Sequence, residues 1–262
     1  MSGLRGKIML IENPIFLWII VGSASGVILG LAGTGGGVIS IPILMILGGY
    51  DIKEASAYGL LALTVGAALS WFIQRKNTIY PISAVLIVFA GAVAFIAAPL
   101  KAISPHWVIN ILLNLTCVFS IYSLWVLRKP DDPGEVRPLS YRIKTATVGG
   151  MITGFLSTMT GLGGGVVIIP WLTGITRLRF EQAMACSLLT IAMTAPISAW
   201  RQGKFDLTLG EWLGLGGGIL VTSLIVQKLI SRTLPLHLIL IRKLALTGVI
   251  FISMYRTLST LF

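Results

Sequence analysis

A glycine-rich block that occurs twice constrains this chain more than any other feature. Gly26-Val-Ile-Leu-Gly-Leu-Ala-Gly33-Thr-Gly35-Gly36-Gly37-Val-Ile-Ser-Ile-Pro42-Ile-Leu44 returns 128 positions later as Gly154-Phe-Leu-Ser-Thr-Met-Thr-Gly161-Leu-Gly163-Gly164-Gly165-Val-Val-Ile-Ile-Pro170-Trp-Leu172. Five of the six glycines, a valine, an isoleucine, the proline and the final leucine recur without a gap, so any fold proposed must contain the same unit twice.

Each copy sets two apolar arms around a Gly-x-Gly-Gly-Gly core. Neither helix nor strand favours that core, because glycine loses the most backbone freedom on ordering. In a water-soluble setting the pattern would suggest a phosphate loop. A Walker loop ends in Gly-Lys-Ser or Gly-Lys-Thr, whereas Gly37 precedes Val38. A dinucleotide-binding turn needs a polar chain around it and an acidic residue some twenty positions on. Both are rejected.

The chain is 55% hydrophobic and 11% charged, with a mean hydropathy of +0.92. Apolar runs near twenty residues recur from Ile15 to the C-terminus, each closed by a small charged patch. This is the pattern of an all-α polytopic membrane protein. The net charge of +11 lies between apolar runs and forms no single basic face, which argues for topology and against nucleic acid as a partner. Cys117 and Cys186 sit inside apolar runs without metal-ligand spacing and read as small core residues. A signal peptide cleaved near Ser25 would destroy the first arm of a motif whose second copy keeps its arm, so the segment is retained.

In order, the arms run about 15–32 and 38–47, a block too long for one crossing with a second arm too short for another. A re-entrant hairpin, or a pair of broken helices with the glycines at its tip, satisfies both facts. Backbone left unpaired at that depth must line a wet cavity or be buried in protein. Spans follow at about 55–73, 82–98 and 107–127, the last bracketed by Trp107 and Trp125. A polar link rich in proline and charge then divides the chain into residues 1–127, 128–143 and 144–262. The second half repeats the plan, with arms at 145–160 and 166–175 and spans at 182–200, 207–226 and 244–261; the piece 234–241 reads as interfacial. The two hairpin blocks are thus 15–49 and 145–176. Beyond the glycines, Ser70 and Gln74 match Ser198 and Gln202 at the same offset.

A hairpin plus three crossings is odd in effect, which makes the halves an inverted repeat. Under that count thirteen basic residues gather on one side, Arg75 and Arg137 among them, and seven on the other, including Lys53, Lys101 and Arg201. That tally puts the link in the cytoplasm. If each glycine block made one net crossing the halves would be parallel, and the charge tally would be as lopsided.

Two glycine tips meeting near the bilayer midplane would gather bare N–H groups. The half-helices starting near Val38 and Val166 would aim their positive ends at the same place, a combination that favours an anion. The candidate binding residues are therefore Gly33, Thr34, Gly35, Gly36 and Gly37 in the first copy, with Thr160, Gly161, Leu162, Gly163, Gly164 and Gly165 in the second. Thr158 is a further hydroxyl donor, and Arg75 and Arg201, each near a tryptophan, are candidate vestibule cations. The competing readings are that the glycines only allow close helix packing and that the arginines snorkel to the interface.

Gly33-Thr-Gly-Gly-Gly-Val-Ile-Ser-Ile-Pro42 and Gly161-Leu-Gly-Gly-Gly-Val-Val-Ile-Ile-Pro170 resemble the paired motifs of the TauE/SafE family of sulfite and organosulfonate exporters. The resemblance extends over nearly the whole chain, through its length, duplicated halves and mid-link. It implies efflux of a small sulfur-containing or carboxylate anion across the bacterial inner membrane.

No carboxylate lies deep in a span, and His106 and His237 are near interfaces, so a proton relay or metal site has no obvious carrier. No cofactor is expected. An enzyme would need a nucleophile with a base inside the bilayer, and Ser157, Ser187 and Ser198 have none in their runs. The rival to an anion exporter is a permease for another small solute or a cation. The partners expected are the anion and the lipid bilayer; a homodimer is compatible with the sequence, though no residue argues for one.

Overall fold

The computed structural model describes residues 13–32, 36–126, 137–202, 207–230 and Thr247. Within them lie α1 (Pro14–Ala32), α2 (Gly37–Leu47), α3 (Ile52–Gln74), α4 (Tyr80–Ile103) and α5 (His106–Val126). After the link come α6 (Leu139–Thr160), α7 (Gly165–Gly174), α8 (Phe180–Gln202) and α9 (Leu209–Ile230). The expected span 244–261 and the interfacial piece 234–241 lie outside the described residues.

Four of these helices are long and apolar enough to cross a membrane: Ile52–Asn77 with its closing 3-10 turn, Tyr80–Ile103, Phe180–Gln202 and Leu209–Val226. Their outer faces carry Val88, Ile96, Ile103, Leu213 and Val221 exposed. Such surfaces are unfavourable in water and ordinary against lipid.

Several helices start earlier or end later than hydropathy suggests, and local chemistry explains it. α3 begins at Ile52, three residues before its apolar run. The Asp51 carboxylate accepts from the backbone N–H of Lys53 and Glu54, while Glu54 accepts from the N–H of Asp51, completing a capping box. Such a cap is worth about 1 kcal/mol. α4 continues to Ile103, five residues past Ala98, and stops where Ser104 precedes Pro105. α6 begins at Leu139, directly after Pro138, so Arg142 rides on the helix.

Small residues set the packing. Along α1, Gly22, Gly26 and Gly30 face α9: a Cβ on Gly22 would stand 2.3 Å from Leu215 O, and one on Gly26 2.7 Å from Ile219 O. Along α6, Gly150 and Gly154 face α4, where a Cβ on Gly154 would stand 2.4 Å from Ala90 O. In both pairs the contacts climb the two helices together, so each pair runs parallel. The spacing of four residues lets backbones approach where lipid supplies no hydrophobic drive.

α3 and α8 run antiparallel. Near the start of α8, the Cys186 thiol lies 3.4 Å from the N–H of Ile79, just beyond the end of α3. At the other end, Lys101 joins Ser56, near the start of α3, to Gln202, the last residue of α8. Leu60, Leu63 and Ala67 of α3 share the core with Leu188, Ile191 and Ala195 of α8, and with Ile41 and Leu44 of α2.

Candidate functional site

α2 and α7 each begin at the last glycine of their Gly-x-Gly-Gly-Gly core, and no side chain caps either start. The first N–H groups of a helix have no partner within it, so both starts present donors at a positive dipole end. Proline sits at the sixth position of each helix. Having no N–H, Pro42 and Pro170 cannot bond the carbonyls of Val38 and Val166 four residues back. The short arms thus leave both donors and acceptors near the glycines.

The described parts of the two tips touch. A Cβ on Gly37 would stand 2.5 Å from Gly161 O and 2.8 Å from Leu162 O, so only glycine lets α2 begin there. Gly161 and Gly163 hold φ of +75° and +80°, the left-handed region that side chains resist. Gly161 ends α6, returning its N–H to Ser157 O at 2.8 Å. That reversal separates α6 from α7 and carries the chain through Leu162 and Gly163 to the start of the half-helix.

Of the two settings expected for unpaired backbone at this depth, a wet cavity or burial in protein, the described part of the tips has the second. Gly36 backs onto Ser25, Gly161 onto Ser56 and Gly164 onto Thr153, all closer than a Cβ could stand. Residues Thr160 through Gly165 are buried, Leu162 included. Close packing of glycine against backbone is therefore part of what these residues do. Polar atoms are nevertheless enclosed with them: the hydroxyls of Ser25, Ser40 and Thr153 are buried without a hydrogen-bond partner. Gly33, Thr34 and Gly35 lie outside the described residues.

The threonines of the second copy are committed to protein. Thr160 Oγ1 donates to Leu156 O at 2.7 Å and accepts from the N–H of Leu162. Thr158 and Ser198 share a hydrogen bond of 2.8 Å. The two arginines stand apart from the tips and from each other. Arg75, exposed beyond the end of α3, lies over the Phe72 ring at 4.6 Å; Arg201, exposed at the end of α8, lies over the Phe95 ring at 4.3 Å. Because α3 and α8 are antiparallel, these cations occupy opposite ends. Their aromatic partners are phenylalanines, and not the neighbouring tryptophans.

A cation beside the second tip is one the sequence placed at an interface. Lys101 is 2% exposed, and its ammonium donates to Ser56 Oγ and, at 2.7 Å, to Gln202 Oε1. Ser56 is the residue against which Gly161 packs. Gln202 passes the connection on, its amide N–H donating to Thr158 O at 3.3 Å. α3, α4, α6 and α8 thus converge on one polar cluster beside the Gly161 turn. Two signals could have found it: Lys101 is followed by Ala102 and Ile103 before the Ser104-Pro105 stop, which keeps it on the helix, and Gln202 recurs as Gln74. Among the described residues, no three of His, Cys, Asp and Glu gather as a metal site would require.

Comparison with known proteins agrees with this architecture. A probable membrane transporter protein of Methanocaldococcus jannaschii is 30% identical over 195 residues, 68% of this chain and 68% of that one. The probable membrane transporter protein YunE of Bacillus subtilis is 23% identical over 257 residues, covering 85% of this chain and 94% of its own. A probable membrane transporter protein of Xylella fastidiosa is 27% identical across 81% of this chain and 85% of its own. No solved structure matches. The sequence profile of the sulfite exporter TauE/SafE family matches residues 18–256, a stretch that includes both glycine tips, both proline-broken arms and the Lys101 cluster. With that match over nearly its full length, the chain is a multi-pass membrane transporter that belongs to the TauE/SafE family.

Proposed function

We propose that this protein exports a small sulfur-containing anion, of the sulfite or sulfonate class, across the bacterial inner membrane by alternating access, without catalysing a reaction. The observation that carries the reading is the meeting of two uncapped half-helix starts at glycine turns, with Gly37 seated on Gly161 and Leu162. Converging helix N-termini favour negative charge, most strongly where water is excluded. The substrate would bind between the tips, at Gly33 to Gly37 of the first copy and Thr160 to Gly165 of the second. Arg75 and Arg201 would draw anions toward the two mouths.

The packing of the halves supports an inverted repeat. α1 packs on α9 and α6 packs on α4, and the offset of 128 residues that carries α1 onto α6 carries α4 onto α9. Each half therefore gives its first arm to the other half's long helix. An antiparallel α3–α8 pair at the centre is what a two-fold axis in the membrane plane produces. The close packing of the tips means the solute path opens only when one half rocks against the other.

A second reading has one observation in its favour. The carbonyls that Pro42 and Pro170 leave without a helical donor are oxygen ligands, as a cation permease would need. Flux in proteoliposomes separates the two: labelled sulfite or methanesulfonate should enter protein-containing vesicles faster than empty ones. Flux of sodium or another cation with no flux of any small anion would overturn the anion reading.

A further inference from the structure

We propose that Lys101 supplies the positive charge that binds the transported solute, that the solute is a monovalent oxyanion such as a sulfonate or carboxylate, and that it displaces Gln202 from the ammonium. The inference rests on the anion-export reading and assigns it a residue and a charge.

Among the described residues no carboxylate accepts a hydrogen bond from Lys101, though the Asp51 charge lies close enough to act on it. Its ammonium has three N–H donors; Ser56 Oγ and Gln202 Oε1 take two of them, and both are neutral. The carboxylate of Asp51, the acid on the neighbouring helix start, accepts from the N–H groups of Lys53 and Glu54 instead. A lysine within a span is expensive to bury, and lysines near span ends normally extend toward water. This one turns inward, to the residue on which the Gly161 turn rests. An anion held at that turn would meet the ammonium and neutralise it.

Charge limits the ligand. Among the described residues the other cations at this end are spoken for: half-buried Lys53 donates from Nζ to Ala102 O at 2.9 Å, and exposed Arg201 covers the Phe95 ring. One buried positive charge balances one negative charge, and a second would be desolvated without a partner. Gln202 is the group an anion can replace. A charge-assisted bond from ammonium to oxyanion is stronger than one to a neutral amide. The Lys101–Gln202 bond also joins the first half to the second, so its exchange for a solute oxygen frees the halves to move.

A purely structural role, with Lys101 complementing the carbonyl end of α6, would also explain its burial. The test is exchange of labelled methanesulfonate in proteoliposomes loaded with unlabelled methanesulfonate, with sulfate as the dianionic competitor. Lys101→Gln should slow exchange about tenfold or more while Lys101→Arg retains part of it. Excess methanesulfonate or acetate should compete in the wild type where sulfate does not. A folded Lys101→Gln protein exchanging at the wild-type rate, or sulfate competing as well as methanesulfonate, overturns the assignment. If Lys101→Gln fails to fold, Gln202→Ala decides: losing the competing acceptor should lower the methanesulfonate half-saturation concentration several-fold, and an unchanged value overturns the proposal. If the wild type moves no anion, the export reading fails by itself. The Lys101 site then stands only if methanesulfonate raises the melting temperature of the purified wild type and not of Lys101→Gln or, should that variant not fold, of Lys101→Arg less than of wild type; an equal or absent shift overturns it.

Discussion

At one end of the α3–α8 pair, Ser56, Lys101 and Gln202 join in a buried hydrogen-bonded cluster beside the Gly161 turn. At the other end, the positions 128 residues away are Met184, Leu229 and Gln74, and the Cys186 thiol of α8 lies against the backbone of Ile79 at the start of α4. Met184 is buried, whereas Leu229 faces outward. The same helical plan therefore packs with a buried ammonium at one end and with sulfur and hydrocarbon at the other. A charge buried within an apolar span points to function.

If the charged end is where the protein is least forgiving, Gly161→Val should produce the largest loss. Valine at φ +75° is strained, and its Cβ would lie 2.4 Å from Ser56 Cβ and 2.6 Å from Ser56 O. Strain and overpacking each cost about 1–3 kcal/mol, a large share of a membrane protein's margin. The variant should yield little monodisperse protein by fluorescence-detected size exclusion. A normal elution profile would mean that the turn is looser than its contacts suggest.

Most of the helical framework was legible in the sequence, because hydropathy period, glycine blocks and prolines are local signals. The arms at 15–32 and 38–47 correspond closely to α1 and α2, and 166–175 to α7. The helix ends were less legible where capping outweighs hydropathy, as at Asp51, whose Asp-x-x-Glu pattern marks the start of α3. Lys101 was misplaced for a different reason. A lone lysine near the end of an apolar run resembles a snorkelling residue, and its partners are 45 and 101 positions away. The close packing of the tips was equally hidden, since Gly-x-Gly-Gly-Gly permits an open turn and a tight one alike. What fixes it is the approach of Ser56 from α3 and of α2 from the other copy.

Ser56→Ala should have an intermediate effect. Ser56 Oγ accepts from Lys101 and donates to Lys53 O at 3.0 Å. Alanine fits the space but leaves a buried ammonium short of an acceptor, a loss of about 1–3 kcal/mol. The melting temperature should fall by several degrees, and methanesulfonate exchange should change with it. A variant as stable as wild type would show that Lys101 finds another acceptor and that the cluster is not cooperative.

Cys186→Ala, at the uncharged end, should do least. The thiol is buried and accepts from the Ile79 N–H at 3.4 Å, with its own hydrogen directed at Ile79 O at 3.8 Å. Sulfur bonds of that length are weak, and replacing cysteine by alanine removes one atom of modest volume, so the loss should be no more than about 1 kcal/mol. Melting should shift slightly and anion exchange should be unchanged, because no charge is disturbed. The contrast with Ser56→Ala carries the information. Two positions occupy opposite ends of one antiparallel pair and both are buried, Ser56 joining α3 to α4 and Cys186 joining α8 to the start of α4. If Cys186→Ala impaired exchange as much as Ser56→Ala, the two ends would be equivalent in function. The transport step would then depend on the α3–α8 contact as a whole, and not on the ammonium held at one end of it.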